Sequence, residues 1–530
     1  MQLLSITKNK FSIYSALTLI IFISLYSGFK WSLYNQDYHH SFFILSAYVD
    51  YQNGLEYFKD IFLQYGPGQV ILFHLIDYFI DINIVSISNL NVVVYSLNLL
   101  ILFKIFEKIS TLQIAILATL IIFLIHPYSI YPWPDYLSGC CLVLFFFFFL
   151  NKDNKLNIFL CSSFLFLAIF FRSTYIINIL FSIFLYSSIL FFFKKKNIIN
   201  IIAILLFFFI TIYFGILVYF ENLSLWYLQS IGVITSYAEY TSYPDLYNKI
   251  IQYVGREGFI FLKIGYYALR SLGKLLDLTN VSNFAFILCI FVNLFFIFRA
   301  LKKKIQINHE EKKILFVSIL GLSGFIQSFM LFEVFRNINA TIGIFITLTY
   351  LYKNKDISIS FFNKHSKKTL LVISIYLIIL VIKFPYQNYN DKDYTNFNNS
   401  YFSDSKKVKL SIKKYYEELS DYICEIDDIN IINDTADNAI PYLCDNRFIK
   451  SKISIDPLFL KIINPSAYKR VIIEKILTKN EIYLKELEIN KGEISYRTAP
   501  NTNMKLLKVI KSGHNNPYLY GDVHIHGIKK

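Results

Sequence analysis

"FSIYSALTLIIFISLYSGFKWSLYNQDYHH", residues 11–40, decides the class of fold. Its first nineteen residues hold no charge, and then Asp37, His39 and His40 crowd into a short space. An uncharged apolar run of about 20 residues is what an α-helix needs to cross a bilayer. Lys8 and Lys10 precede the run, and no small-residue cleavage site follows it, so it reads as a retained anchor with its N-terminus in the cytoplasm.

The rest of the chain repeats the pattern. Of 530 residues 55% are hydrophobic, with 53 Phe and 41 Tyr and a mean hydropathy of +0.46, the composition of a membrane protein. About eleven apolar runs of spanning length fall near 12–31, 88–106, 111–127, 136–151, 156–172, 174–193, 198–219, 282–299, 313–332, 337–352 and 369–385. Threading them back and forth puts Lys104, Lys108, Lys152, Lys155, Lys194 to Lys196, Arg299, Lys302 to Lys304 and the lysines of 353–368 on one side. The short loops of the other side hold only Arg172 and Arg336, which is the positive-inside asymmetry. The predicted class is a polytopic α-helical protein of the inner (plasma) membrane, with residues 32–87, 220–281 and 386–530 extracytoplasmic. The net charge of +15 does not call for nucleic acid as a partner, because many of the lysines lie where topology alone would place them.

Two extracytoplasmic loops are far longer than a connection between antiparallel helices needs. Both mix aromatic and charged residues. "SFFILSAYVDYQNGLEYFKDI" (41–61) carries Asp50, Glu56 and Asp60, and "GREGFIFLKIGYYALRSLGKLLDL" (255–278) carries Arg256, Lys263, Arg270 and Lys274. Helices of this kind are expected in the membrane interface, roofing a cavity open to lipid. Residues 1–385 are thus predicted to form the membrane domain.

Residues 386–405, rich in Asn, Asp and Ser, read as a polar linker. Residues 406–530 read as a small soluble α/β domain: "KKVKLSIKKYYEELSDYICEI" a helix, "INIIN" a strand, "ADNAIPYLC" a helix or half-turn and "RFIKSKISID" extended. Cys140, Cys141, Cys161 and Cys289 fall within spans as small apolar residues, leaving Cys424 and Cys444 as the pair available for a disulfide in an oxidising compartment.

The order Asp37, then a helix-like stretch, then Gly54, Tyr57, Asp60 and "QYGPGQ" (64–69) resembles the first periplasmic loop of the GT-C superfamily of membrane glycosyltransferases. Bacterial relatives of protein mannosyltransferases and aminoarabinose transferases are the nearest in pattern. The resemblance implies a GT-C-like membrane domain with an extracytoplasmic C-terminal domain. It further implies a polyprenyl-phosphate sugar as donor, a glycan, lipid or protein as acceptor, Asp37 as catalytic acid or base, and Asp60 as the second acid. Tyr38 stands where the family's loop commonly has a Glu, with His39 and His40 after it.

The chemistry is coherent without the family. Transfer to a hydroxyl needs a base, which Asp37 would supply, and donors for the departing phosphate. Arg172, Arg256, Arg270 and Arg336 all belong near the level of that phosphate, where each either binds it or snorkels to headgroups. Tyr57 and Tyr65 flank the turn as substrate-binding candidates. Either histidine would hydrogen-bond the acceptor or Asp60, or the two with Asp37 would bind a divalent metal. The ~100° between neighbouring residues on a helix opposes that metal set, and no cofactor is required by the reading. Asp135, in "IHPYSIYPWPDYLSG" (125–139), is a further candidate for a sugar hydroxyl or an interface anchor.

Nucleotide-binding motifs are absent and no cytoplasmic loop is large enough for a nucleotide-sugar domain. A polysaccharide polymerase or O-antigen ligase remains an alternative. So do a lipid-linked glycan transporter, which would carry ionisable residues at the midplane, and a non-enzymatic assembly platform.

Overall fold

The computed structural model describes residues 2–34, 38–126, 133–192, 198–232, short helical pieces between 252 and 276, 281–303, 308–328, 334–353, 391–425, 430–434, 437–444 and five strands after residue 480. The predicted span 369–385, the extended segment 447–456 and site candidates Asp37, Arg256 and Arg270 lie outside the described residues.

Among the described residues the apolar runs are helices. They are α1 (Gln2–Tyr34), α2 (Tyr38–Gln52), α3 (Gly68–Ile76), α4 (Ile84–Ile109), α5 (Leu112–Ile125), α6 (Asp135–Phe149), α7 (Lys155–Phe171), α8 (Tyr175–Phe192), α9 (Ile199–Tyr219) and α10 (Leu223–Trp226). After the second long loop come α11 (Val281–Lys303), α12 (His309–Ser323), α13 (Val334–Ala340) and α14 (Gly343–Lys353). Among the described residues, Lys10–Tyr34, Ile84–Ile109 and Ile199–Tyr219 are long and apolar enough to cross a membrane, and Leu112–Ile125, Asp135–Phe149, Lys155–Phe171 and Tyr175–Phe191 are apolar but shorter. Two predicted spans differ in detail: 313–332 continues α12 into a 3₁₀ turn, Gly324–Ser328, and 337–352 is broken between α13 and α14.

Side-chain oxygens start several helices. Asn83, Thr111, Asn154 and Asn308 each accept from an amide of the first turn, and Asn83 forms a reciprocal capping box with Ser86. The apolar core joins α1, α4 to α9, α11, α12 and α14, with Phe103, Phe106, Phe145 and Leu165 fully buried. Ser138 Oγ donates to the Ala168 carbonyl at 3.1 Å, drawing α6 against α7.

The first long loop departs from expectation. An amphipathic helix lying on the membrane would leave one face open, whereas α2 is enclosed: Phe42 and Leu45 have no exposed surface, and Tyr38, Tyr48 and Val49 are also buried. Part of its cover comes from α3, where Tyr48 meets Phe73 edge-on at 6.3 Å, and part from the C-terminal domain. Phe42 packs on Phe402 and Tyr442 with ring centroids 4.7 and 5.5 Å apart.

Where a polar linker is expected, residues 391–405 instead belong to the C-terminal fold. Strand β1 (Tyr394–Asn396) pairs antiparallel with β2 (Lys407–Lys409), and Phe397, Asn399 and Phe402 are buried. Asn399 donates to the carbonyls of Tyr442 and Leu443, which closes this segment over the half-turn Ile440–Tyr442. The polar composition reflects a turn built on side-chain hydrogen bonds.

Helix α15 (Leu410–Cys424) follows, then β3 (Asn430–Asp434), β4 (Glu481–Glu486), β5 (Glu488–Asn490), β6 (Glu493–Ser495), β7 (Lys505–Ile510) and β8 (Val523–Gly527). The main sheet has the order β3-β4-β8-β7, with β3 parallel to β4 and the other pairs antiparallel. A disulfide joins Cys424, at the end of α15, to Cys444.

Helix ends need partners for the backbone groups left over by the helix. Two such ends are completed by the C-terminal domain. Lys406 Nζ donates to the Ser32 carbonyl in the last turn of α1 at 2.8 Å, and Ile84 N, the first amide of α4, donates to the Tyr401 carbonyl at 3.1 Å. Ser32 Oγ then donates to Asn89 Oδ1 at 2.7 Å, linking α1 to α4.

Lys406 is only 2% exposed, and burial pushes its amine down from 10.5 to about 7. As pH rises through about 7 it gives up its proton in the folded chain, while the unfolded chain holds one up to about 10.5. This group's contribution to stability therefore rises with pH between those values and is flat below 7. Relative to Lys406→Met, the wild type should gain about 1.4 kcal/mol per pH unit from pH 7 to 9. Melting of both proteins in detergent across that range checks it, and parallel curves would contradict the burial of the amine.

Candidate active site

Four segments meet at the end of the bundle that carries the C-terminal domain. The first is the loop between α2 and α3, which turns at Gly54 (φ 80°), Phe58 (φ 64°) and Gly66 (φ 113°). It is sewn down by Gln229: Leu63 N donates to Gln229 Oε1 at 2.9 Å, and Gln229 Nε2 donates to the Phe58 carbonyl at 2.7 Å.

The "QYGPGQ" turn lies directly on the corner between α7 and α8. Ser173 N donates to the Tyr65 carbonyl at 2.7 Å, and Trp226 Nε1 donates to Ser173 Oγ at 3.0 Å. A Cβ on Gly66 would stand 2.8 Å from Ser173 Oγ, and one on Gly68 would stand 2.7 Å from the Phe170 carbonyl. Both glycines are there because backbone meets backbone; Gly66 in addition needs its positive φ.

This packing presses the turn against Arg172, which caps the C-terminus of α7. Its guanidinium forms an ion pair with Asp135, the first residue of α6, and its Nε donates to Thr174 Oγ1 at 3.1 Å. Each partner suits its helix: a carboxylate at an N-terminus and a cation at a C-terminus both complement the macrodipole. Asp135 is 1% exposed and Arg172 11%, so the pair is shielded from water, where breaking it is costly.

An aromatic wall stands beside the pair. The Arg172 Cζ lies 5.4 Å from the Tyr65 ring centroid, Tyr65 meets Trp133 edge-on at 5.5 Å, and Trp133 meets His40 of α2 at 4.5 Å. Next to Asp135, Tyr136 Oη and His126 Nε2 are 3.1 Å apart. Behind Arg172 runs a polar chain into the bundle. Thr174 Oγ1 donates to Gln327 Oε1 at 2.7 Å, and Gln327 Nε2 donates to Asn178 Oδ1 at 3.1 Å. Ser182 and Ser323 continue it, 2.7 Å apart.

Of the candidates read from sequence, the fold brings together Tyr65, Arg172 and His40. Asp37 lies outside the described residues, three positions before His40 in the chain; the side chains of His39 and Arg336 also lie outside them, as do Arg256 and Arg270. Asp60 is exposed, and its Oδ2 accepts from Glu56 N at 3.0 Å in its own loop. Tyr57 stacks on Tyr51 at 4.4 Å. Asp135 faces Arg172, not open space. Among the described residues no three His, Cys, Asp or Glu side chains assemble to hold a metal.

Sequence reasoning missed the polar chain behind Arg172. Its signal was an amide within an apolar run, Asn178 in "STYIINIL" and Gln327 in "GFIQSF", where a polar group is retained only if partnered.

No protein-family model matches the sequence, and no curated protein sequence matches it. Among solved structures the chain is similar to the crystal structure of the Archaeoglobus fulgidus oligosaccharyltransferase in its apo form, at 12% identity and a TM-score of 0.45, over 89% of this chain and 69% of that one.

Asp135→Asn strands a shielded guanidinium and should cost about 3–5 kcal/mol, measured as a fall in melting temperature. The paired change Asp135→Leu with Arg172→Met should recover most of that loss. A double variant as unstable as the single one would show that the ion pair is not what joins α6 to α7.

Proposed function

We propose that this protein is a polytopic membrane glycosyltransferase that moves a sugar from a polyprenyl-phosphate donor to an acceptor hydroxyl at the extracytoplasmic face. The observation that carries the reading is the Arg172 cluster. An arginine held by Asp135 and Thr174 sits at the bundle end beside the Tyr65–Trp133–His40 wall, and the same helix that supplies His40 follows Asp37 in the chain.

In this reading Asp37 takes the proton as the acceptor oxygen attacks the anomeric carbon. The bond from that carbon to the phosphate oxygen breaks, and polyprenyl phosphate leaves with the electron pair. Arg172 meets the charge that grows on the phosphate, with Arg256, Arg270 and Arg336 as further donors. Tyr65 and Trp133 offer faces for the sugar ring. Asp60 holds the turn of its own loop and Tyr57 the wall of that loop, so their part is to shape the approach to the site. Asp37, His39 and His40 remain a candidate set for a divalent metal.

Three further observations support the sidedness. Large apolar side chains at Tyr253, Phe261, Tyr266 and Leu269 are exposed on the second loop, as for helices that lie in a membrane interface. The Cys424–Cys444 disulfide suits an oxidising compartment. At the opposite bundle end Lys313 Nζ donates to Asp153 and to the Asn151 carbonyl, and Lys108 Nζ donates to Asn151, the basic face expected toward the cytoplasm.

Purified protein in lipid should transfer sugar from one member of a panel of radiolabelled undecaprenyl-phosphate sugars to crude cell-envelope acceptor. Asp37→Asn, with an unchanged melting temperature, should lower the rate by about 10²–10⁴-fold. Equal transfer by both would remove Asp37 as the base. No transfer from any donor would favour the ligase or transporter alternatives.

A further inference from the structure

Helices lying in the membrane interface are expected of the first long loop, yet α2 is enclosed. The segment of that loop that stays open is the tip following α3. Val70 and Phe73 bury the inner face of α3, and Gly68 sets its first turn against Phe170. Beyond that root the chain turns outward, with Phe79 N and Ile80 N both donating to the Ile76 carbonyl, at 2.8 and 3.0 Å. Tyr78, Phe79 and Ile80 are 74%, 87% and 59% exposed, and Leu75 is exposed as well.

The turn is held in place from two sides. Asp77 Oδ2 accepts from Gln52 Nε2 of α2 at 3.1 Å, and Asp77 Oδ1 accepts from Ile82 N at 3.4 Å. A row of rings runs up to it: Tyr57 stacks on Tyr51 at 4.4 Å, Tyr51 meets His74 edge-on at 5.7 Å, and His74 meets Tyr78 edge-on at 5.8 Å. Soon after Ile80, at Asn83, the chain caps α4, which is long and apolar enough to cross a membrane. Val93, Leu97 and Leu100, spaced as one face of α4, are exposed, an apolar stripe of the kind a spanning helix turns to lipid.

Three large apolar side chains in succession form a patch that calls for a partner, and at the end of a spanning helix the bilayer is the nearest apolar phase. Tyrosine with phenylalanine and isoleucine beyond it is the make-up of an interfacial anchor, amphipathic rings at the headgroups and apolar groups below. Between Lys59 and Lys104 the sequence has no Lys or Arg, so attraction to anionic headgroups does not make this contact.

We propose that Tyr78, Phe79 and Ile80 form a rigid wedge that enters the membrane leaflet on the side of the C-terminal domain. Phe79 and Ile80 lie among the upper acyl chains, and Tyr78 and His74 at the level of the headgroups. The side follows from the start of α4, where Ile84 N donates to the Tyr401 carbonyl. Because Asp77 ties the turn to α2 and to the approach to α4, the wedge sets the height of the α2–α3 loop over the bilayer. It is independent of the reaction proposed above.

Full-length protein in phosphatidylcholine vesicles tests this, with Phe79→Trp as the probe and the emission of the wild type, from Trp31, Trp133 and Trp226, subtracted. The added emission should be blue-shifted. It should fall by about half in lipid brominated near the carbonyl end of the acyl chains, and less in lipid brominated near the methyl end, as an insertion of about 5–10 Å requires. Aqueous iodide should lower it by less than about a tenth, since the same insertion shields the ring. Leu97→Trp, midway along α4, supplies the reference for a deeper position. Added salt should leave the pattern unchanged, because no cation makes the contact.

Strong quenching by iodide with none by either lipid would place the tip in water and overturn the wedge. Quenching by none of the three would mean that protein covers the tip, a second copy or another chain, and would overturn it equally. Quenching strongest in the deeper lipid would overturn the interfacial seat. Should Phe79→Trp fail to fold, Ile80→Trp reads the same depth.

Discussion

Helix ends at one side of the bundle have to find partners for their leftover carbonyls, amides and dipoles, and that requirement shapes everything around the site. A helix surrounded by lipid satisfies its own middle but not its ends. Here the C-terminus of α7 and the N-terminus of α6 answer each other through Arg172 and Asp135. The C-terminus of α1 is completed by Lys406 and the N-terminus of α4 by the Tyr401 carbonyl. Each partner comes from a distant part of the chain, so satisfying the ends also fixes the tertiary arrangement.

The same economy explains the crowded turn at Tyr65. Its carbonyl takes the amide of Ser173, and two glycines let it lie on the α7–α8 corner. That contact puts an aromatic ring over the guanidinium, and Trp133 and His40 extend the wall from two other segments. A polar chain through Thr174, Gln327 and Asn178 supports the arginine from behind, where hydrogen bonds between amides are worth more than in water. The site is therefore braced on every side that the fold can reach.

The C-terminal domain is not an appendage on this architecture. Phe42, Tyr38 and Phe402 share one apolar cluster with Tyr416 and Tyr442, so α2 is a component of the domain's core as much as of the membrane part. A segment that looks amphipathic in isolation becomes enclosed because its partner supplies the second apolar face. Removing the domain would uncover apolar side chains of α2 such as Phe42 and Tyr38, which pack on Phe402.

Hydropathy alone marked long apolar helices such as 199–219, because in lipid an apolar run satisfies its backbone as a helix. Local pattern also marked the change of character after residue 385, a helix within 406–426 and a strand near 429–433, which the fold realises as Leu410–Cys424, preceded by the strand Lys407–Lys409, and Asn430–Asp434. The spacing of "QYGPGQ" marked a turn but not what the turn touches. Only the tertiary structure decided that Arg172 meets Asp135, 37 residues away, that residues 391–405 are folded, and that α2 is buried. Those outcomes depend on which surfaces meet, and a hydropathy pattern specifies how strongly a face must be covered without naming the residues that cover it.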